Sequence, residues 1–131
     1  MCLDLGFFGY KRKAIWNKTV YKIIVKYSDC SDINYYETLF RGCQVNLNET
    51  YSSGLDKRWC DKVREGLHTF TTKRQAIEFF KNSYIPNSGN KIYVLVKCII
   101  PKGASYYKGK FEGYSSIASD KLYYTNDTCY L

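Results

Sequence analysis

The sequence predicts an α+β fold: one small sheet, mixed or antiparallel, carrying one main helix. Three observations lead there. Thr19–Tyr27 and Ile92–Ile100 are apolar or alternating runs of strand length, rich in β-branched and aromatic residues. Between them lies one stretch with helical periodicity, opened by Thr72 and Gln75 at capping-box spacing. The order strand, irregular stretch, strand, helix and three strands also lacks the regular strand–helix alternation of a parallel α/β fold. With 131 residues, no repeat and no linker, residues 1–131 read as a single domain.

Each element has its own signal. In the first strand Val20, Lys22, Ile24 and Lys26 alternate with Tyr21, Ile23, Val25 and Tyr27, giving one mixed face and one wholly apolar face. The core is expected under the apolar face. Ser28–Asn34, rich in Asp, Ser and Asn, reads as a turn. Residues 35–65 are weakly patterned. Tyr35–Phe40 and Gln44–Tyr51 are expected as short strands, Ser52–Gly54 as a loop and Asp56–Arg64 as a helical turn. Leu67, His68 and Phe70 suggest another short strand. Reciprocal Thr72–Gln75 capping then opens a helix over residues 73–82. Its inner face holds Ala76, Ile77 and Phe80, with Phe79 at the margin, and it ends before Pro86 and Gly89. Ile92–Ile100 is apolar on both faces except at Lys97, which predicts a central strand covered on both sides. Pro101–Gly103 makes a tight turn, and Ser105–Tyr107 and Lys121–Thr125 are short strands around a Gly- and Ser-rich link.

The charge is +8, from 20 Lys plus Arg against 12 Asp plus Glu. It is spread out: six basic and one acidic residue over 1–27, five and seven over 28–65, nine and four over 66–131. Lys11-Arg12-Lys13 is the one tight cluster, too short for a basic arm, so most of this charge reads as solvated surface. No apolar run approaches the ~20 residues of a membrane helix, and the N-terminus has the wrong charge order for a secretory signal. A soluble cytoplasmic protein without a membrane partner is expected. The cysteines at positions 2, 30, 43, 60, 98 and 129 form no Cys-x-x-Cys pair. That speaks against zinc and for reduced thiols, Cys98 being a buried one; no metal is expected.

Nucleotide-binding and hydrolase motifs are missing. The three glycines between Gly103 and Gly113 make a weak phosphate cradle, because they do not open a helix. His68 is the sole imidazole, so any nucleophile–His pair must run through it; bonding to nearby backbone is the alternative. Thr69, Thr71 and Thr72 stand beside the helix start, as an anion pocket or simply as a cap. Tyrosine pairs occur at 35–36, 106–107 and 123–124, and strand alternation turns one ring of each pair outward. With neighbouring lysines, Tyr106, Tyr107, Lys108, Lys110, Tyr114 and Lys121 are the candidate partner-binding surface.

Gly66-Leu-His-Thr-Phe70, Val96-Lys-Cys-Ile-Ile-Pro-Lys-Gly103, Tyr106-Tyr-Lys-Gly109 and Ala118-Ser-Asp-Lys-Leu122 together resemble a group of small uncharacterised proteins of phages, large DNA viruses and gut bacteria. That group implies no activity. More distantly the layout is similar to the ADP-ribosyltransferase-like fold. By position this likeness would place Lys22, Thr69 or Thr71, and Asp120 where that fold keeps an Arg or His, a Ser/Thr or Tyr, and a catalytic Glu. Lys22 lacks a guanidinium's bidentate fork, and Asp120 is a methylene short. The resemblances imply a non-catalytic binding module of viral or mobile-element type, with no cofactor. It would bind a host protein or a nucleotide, act in counter-defence, or form part of a particle, in the host cytoplasm or with a virion. One alternative is an ADP-ribosyltransferase-like enzyme using a nicotinamide dinucleotide (NAD), with Lys22 on the phosphates, Asp120 as the acid, and Thr71 and His68 as further candidates. The other is a nucleic-acid-binding protein.

Overall fold

A computed structural model describes residues 3–5, 9–58, 62–83 and 89–131. Within them the chain is α+β, a mostly antiparallel sheet with one helix, curled into a half-barrel. The strands are β1 (Leu3–Asp4), β2 (Arg12–Lys13), β3 (Lys18–Tyr27), β4 (Tyr36–Thr38), β5 (Gln44–Val45), β6 (Glu49–Ser52), β7 (Asp56–Arg58), β8 (Lys62–Glu65) and β9 (Leu67–Phe70). The helix α1 (Lys73–Asn82) follows, then β10 (Lys91–Ile100), β11 (Ser105–Phe111), β12 (Tyr114–Ser119) and β13 (Lys121–Tyr130). The sheet order is β6-β13-β10-β3-β9-β12-β11-β1-β8-β7, with β2 added to β11 and the β4–β5 pair added to β3.

The nine-residue apolar run extends by one residue and forms the central strand β10. Antiparallel pairing with β3 continues from Lys91↔Tyr27 to Ile100↔Lys18, and β13 lies on the other side. On one face Val94, Val96, Cys98 and Ile100 pack with Val20, Ile24, Leu122 and Tyr124. On the opposite face Leu95 joins Ile23, Phe70, Ala76 and Phe79. Both faces of β3 are therefore covered, not the wholly apolar one alone. Val20 and Ile24, on the mixed face, are each 0% exposed. The lysines that disguise this face end on particular partners: the Lys26 ammonium sits 5.8 Å from the centre of the Tyr36 ring, and Lys22 turns to the His68 carbonyl.

Helix α1 spans the expected residues, but its start and inner face differ in detail. Thr72 Oγ1 accepts from Gln75 N at 3.2 Å, whereas the Gln75 side chain reaches across to accept from Ser115 N at 2.9 Å. Only the Thr72 side of the expected reciprocal cap forms, and Gln75 pins the helix to β12 instead. Phe79, expected at the margin, is the central buried residue, with its ring 5.0 Å from Phe70 and 5.5 Å from Phe111; Ile77 and Phe80 are half-buried. The expected stop at Pro86 lies outside the described residues.

Two further segments correct the sequence reading. Residues 56–64 hold no helical turn among those described; Asp56–Arg58 and Lys62–Glu65 pair as antiparallel strands. The Gly- and Ser-rich link after residue 107 is itself a hairpin, β11 against β12, closed by Glu112 and Gly113 at φ 50° and 86°. Two successive left-handed residues match the right-handed twist of flanking strands, which suits Gly at the second. Gly109 serves close approach, since a Cβ there would strike the Asp4 carbonyl on β1. Gly113 thus serves a hairpin turn and Gly109 the close pairing of β11 with β1, rather than a phosphate cradle.

Candidate functional site

The edge of β3 away from β10 is divided between two neighbours. Tyr21 pairs with Phe70 of β9, while Ile24 and Val25 pair with Thr38 and Glu37 of β4. Lys22 and Ile23 fall at this fork, where the two partner strands separate. The gap is a cavity of about 220 Å³. Its walls are Phe40, Arg41, Cys43 and Val45 from the β4–β5 hairpin, Tyr51 and Ser52 from β6, Leu67 and His68 from β9, and Tyr124 from β13. The Tyr51 and Tyr124 rings meet edge to face at 5.4 Å.

Lys22 is the charged group at the fork. Its Nζ donates to the His68 carbonyl oxygen at 2.9 Å. Among the described residues this is its one hydrogen bond, and no carboxylate lies within ion-pair distance. An ammonium has three N–H donors, so two are unspent among the described residues. Burial lowers its pKa from the usual lysine value; the Cys98 and Cys43 thiols oppose that shift, and the Arg41 guanidinium adds to it. Across the wall, burial pushes the Cys98 thiol up to about 12 and raises the Tyr124 phenol, so both are neutral at physiological pH.

His68 supplies its carbonyl, not its imidazole, to Lys22. Nδ1 lies 3.0 Å from the Gly66 carbonyl oxygen and Nε2 lies 3.4 Å from that of Val63. Burial, with the Lys22 charge beside it, lowers the imidazole pKa to about 4. The neutral ring has one N–H, and the shorter contact assigns it to Nδ1 as donor to Gly66. This is a backbone-bonded histidine, the alternative weighed from the sequence.

The other candidates do not converge on Lys22. Thr69 Oγ1 donates to Ile117 O and Thr71 Oγ1 to Ser115 O, each at 3.4 Å. Asp120 Oδ1 accepts from Ser105 N at 3.0 Å, at the far end of β12. The five steps along the strand from Ser115 to Asp120 correspond to roughly 17 Å. Neither Thr71 nor Asp120 lines the cavity.

The tyrosine–lysine surface is likewise divided. Tyr107 is 7% exposed and packs with Leu3, Leu5, Val63 and Ala118, so it is core and not surface. Tyr114 is half-buried against Phe79, and its hydroxyl accepts from Asn82 Nδ2 at 3.2 Å; it anchors the helix. Tyr106 is half-buried, while Lys108, Lys110 and Lys121 are exposed. Leu122 alternates with Lys121 on β13 and faces the core, which directs Lys121 to the opposite face.

Sequence reasoning missed the cavity walls. Tyr124 could have been found, since Leu122 and Tyr124 share an alternating face. Phe40, Arg41 and Cys43 have no local period to reveal them. Among the described residues no three His, Cys, Asp or Glu side chains gather as a metal site, and no helix is long and apolar enough to cross a membrane. No protein-family model, curated protein or solved structure matches the chain.

Proposed function

We propose that the chain is a non-catalytic binding module whose fork cavity takes a small anion with a flat apolar body. A nucleobase carrying one phosphate and an aromatic carboxylate are the two forms of that chemistry. The observation behind this reading is Lys22, a cation set into an aromatic and aliphatic cavity with two unspent donors. Burying an ammonium without a counter-charge is unfavourable, and an incoming anion would relieve it. Tyr51, Tyr124 and Phe40 offer faces and edges for a ring, and Arg41 stands on the same wall as a second cation. About 220 Å³ is below the ~300–1,000 Å³ of drug-sized sites, which favours a single ring system over a whole dinucleotide. The groups a proton-transfer role would need are engaged elsewhere: the His68 ring donates from Nδ1 to the Gly66 carbonyl, and Asp120 Oδ1 accepts from Ser105 N.

The test is a thermal-denaturation titration with nucleoside monophosphates, aromatic carboxylates, ADP-ribose and the nicotinamide dinucleotide. A true ligand raises the midpoint progressively as its concentration passes the dissociation constant. Lys22→Met should abolish the shift. Affinity should also fall as pH rises through the lowered Lys22 pKa, below the range of an ordinary lysine. The reading fails if no anion stabilises the protein, or if Lys22→Met binds as tightly as the native chain.

A further inference from the structure

The opposite end of β3 carries a second surface, independent of the cavity. There the β2–β3 connection is laced to the β10–β11 turn. Ala14 N donates to Ala104 O at 2.9 Å, Gly103 N to Ala14 O at 2.8 Å, and Lys102 N to Asn17 Oδ1 at 3.0 Å. The result is a built protrusion whose tip holds Ile15 and Trp16, 70% and 73% exposed. Five cations surround it: Lys11, Arg12, Lys13, Lys18 and Lys102, of which Lys11, Lys13 and Lys102 are exposed. The Arg12 guanidinium lies 4.7 Å from the centre of the Tyr10 ring, and the Lys18 ammonium 5.9 Å from that of Tyr106. Residues 9–28 and 79–111 contain no Asp or Glu at all. Asp120, beside Ser105 at the start of β11, uses its carboxylate on Ser105 N.

From this arrangement we infer that the protrusion binds single-stranded nucleic acid, with phosphates on the five cations and bases stacked on Trp16 and Tyr10. The charge calls for a polyanion. The rings decide which kind. Arg12 lies against Tyr10 and Lys18 against Tyr106, with exposed Trp16 on the chain between these two cations, the interleaving that alternating bases and phosphates need. Insertion into lipid instead asks for a continuous apolar tip, and here only Ile15 adjoins Trp16.

Fluorescence anisotropy of labelled oligothymidine and oligouridine, each about 12 nucleotides long, tests this at several salt concentrations between about 50 and 200 mM. Five phosphate contacts bound the slope of log affinity against log salt at about −3.5, and a slope of roughly −2 to −3.5 is expected. Trp16→Ala should weaken binding roughly tenfold or more with little change of slope, as loss of one stacked base does. Lys11→Ala with Lys13→Ala should flatten the slope by about 1.4. Lys22→Met, which tests the cavity, should change neither. The inference is overturned by an absence of oligonucleotide binding or by a slope near zero. It also falls if Trp16→Ala is silent, or if vesicles of anionic phospholipid are bound while oligonucleotides are not. Since Trp16 lies outside the cavity, either site can fail without the other.

Discussion

The two edges of β3 show what continuity of pairing does in this molecule. Toward β10 the ladder is unbroken along the whole strand, and the side chains on it are sealed on both faces. Toward β9 and β4 the pairing is split, and the gap admits a cavity with a cation in it. The same ten residues therefore hold a stability element along one edge and a candidate site along the other. A sheet can open such a site without loss of order because the two halves of the fork, β9 and β4, are each anchored elsewhere, on β12 and β5.

The largest effect should come from the unbroken side. Ile24 is fully buried and pairs with Val94, so Ile24→Ala removes a packed side chain with β10 and β13 already fixed around it. A loss of roughly 2–5 kcal/mol is expected in chemical denaturation. A loss under about 1 kcal/mol would show that the core near the fork collapses freely and that the two edges are not so different.

Next in size is the pH response of the fork wall. His68 is 7% exposed, with its pKa lowered to about 4 from an unfolded value near 6.5. Between these values the unfolded chain binds the proton and the folded chain does not. Stability is therefore full above about pH 6.5 and falls as pH drops toward 4, by up to about 3 kcal/mol. His68→Asn can keep a donor for the Gly66 carbonyl and has no proton to take up. Its stability curve should be flatter across that window; curves parallel to the native ones would remove His68 as the cause.

How legible all this was depended on whether a signal was local. β10 and α1 were readable because their periods lie within single segments. The mixed face of β3 was misjudged since Lys22 and Lys26 look solvent-facing in sequence, yet their stems cross the core and their ammonium groups find a carbonyl and a ring. Tyr107 and Tyr114 read as surface because tyrosine beside lysine is ambiguous, and their burial comes from β1 and α1, remote elements that no neighbour announces. The β11–β12 hairpin has a local signal at Glu112-Gly113, but the Gly- and Ser-rich composition around it reads as a link between strands. From the sequence Lys22 is a candidate through its place in a transferase-like triad; in the fold it lines the cavity, while Thr71 and Asp120 do not. Its actual setting depends on Tyr51, Arg41 and Tyr124, brought together by pairings between distant strands.

The smallest expected effect separates the two edges most sharply. On the unbroken edge every truncation should destabilise; at the fork, Lys22→Met should not. The substitution keeps the length of an unbranched side chain and removes an ammonium held by one hydrogen bond inside an apolar wall. Replacing poorly compensated buried charge by a packed apolar group is often neutral or favourable. The cavity's opening lets water satisfy the His68 carbonyl that Lys22 leaves behind. A gain of about 1 kcal/mol at neutral pH is expected, read as a higher denaturation midpoint. Because the folded pKa of Lys22 is depressed, the native chain itself gains stability as pH rises from that lowered pKa toward 10.5, and the Met variant lacks this gain. The difference between the two proteins should therefore shrink in alkaline solution. Such a result would mark Lys22 as a residue kept for binding at the expense of stability. If Lys22→Met instead loses stability on the scale of Ile24→Ala, the lysine is a structural strut, and the fork is no more than an irregular stretch of sheet.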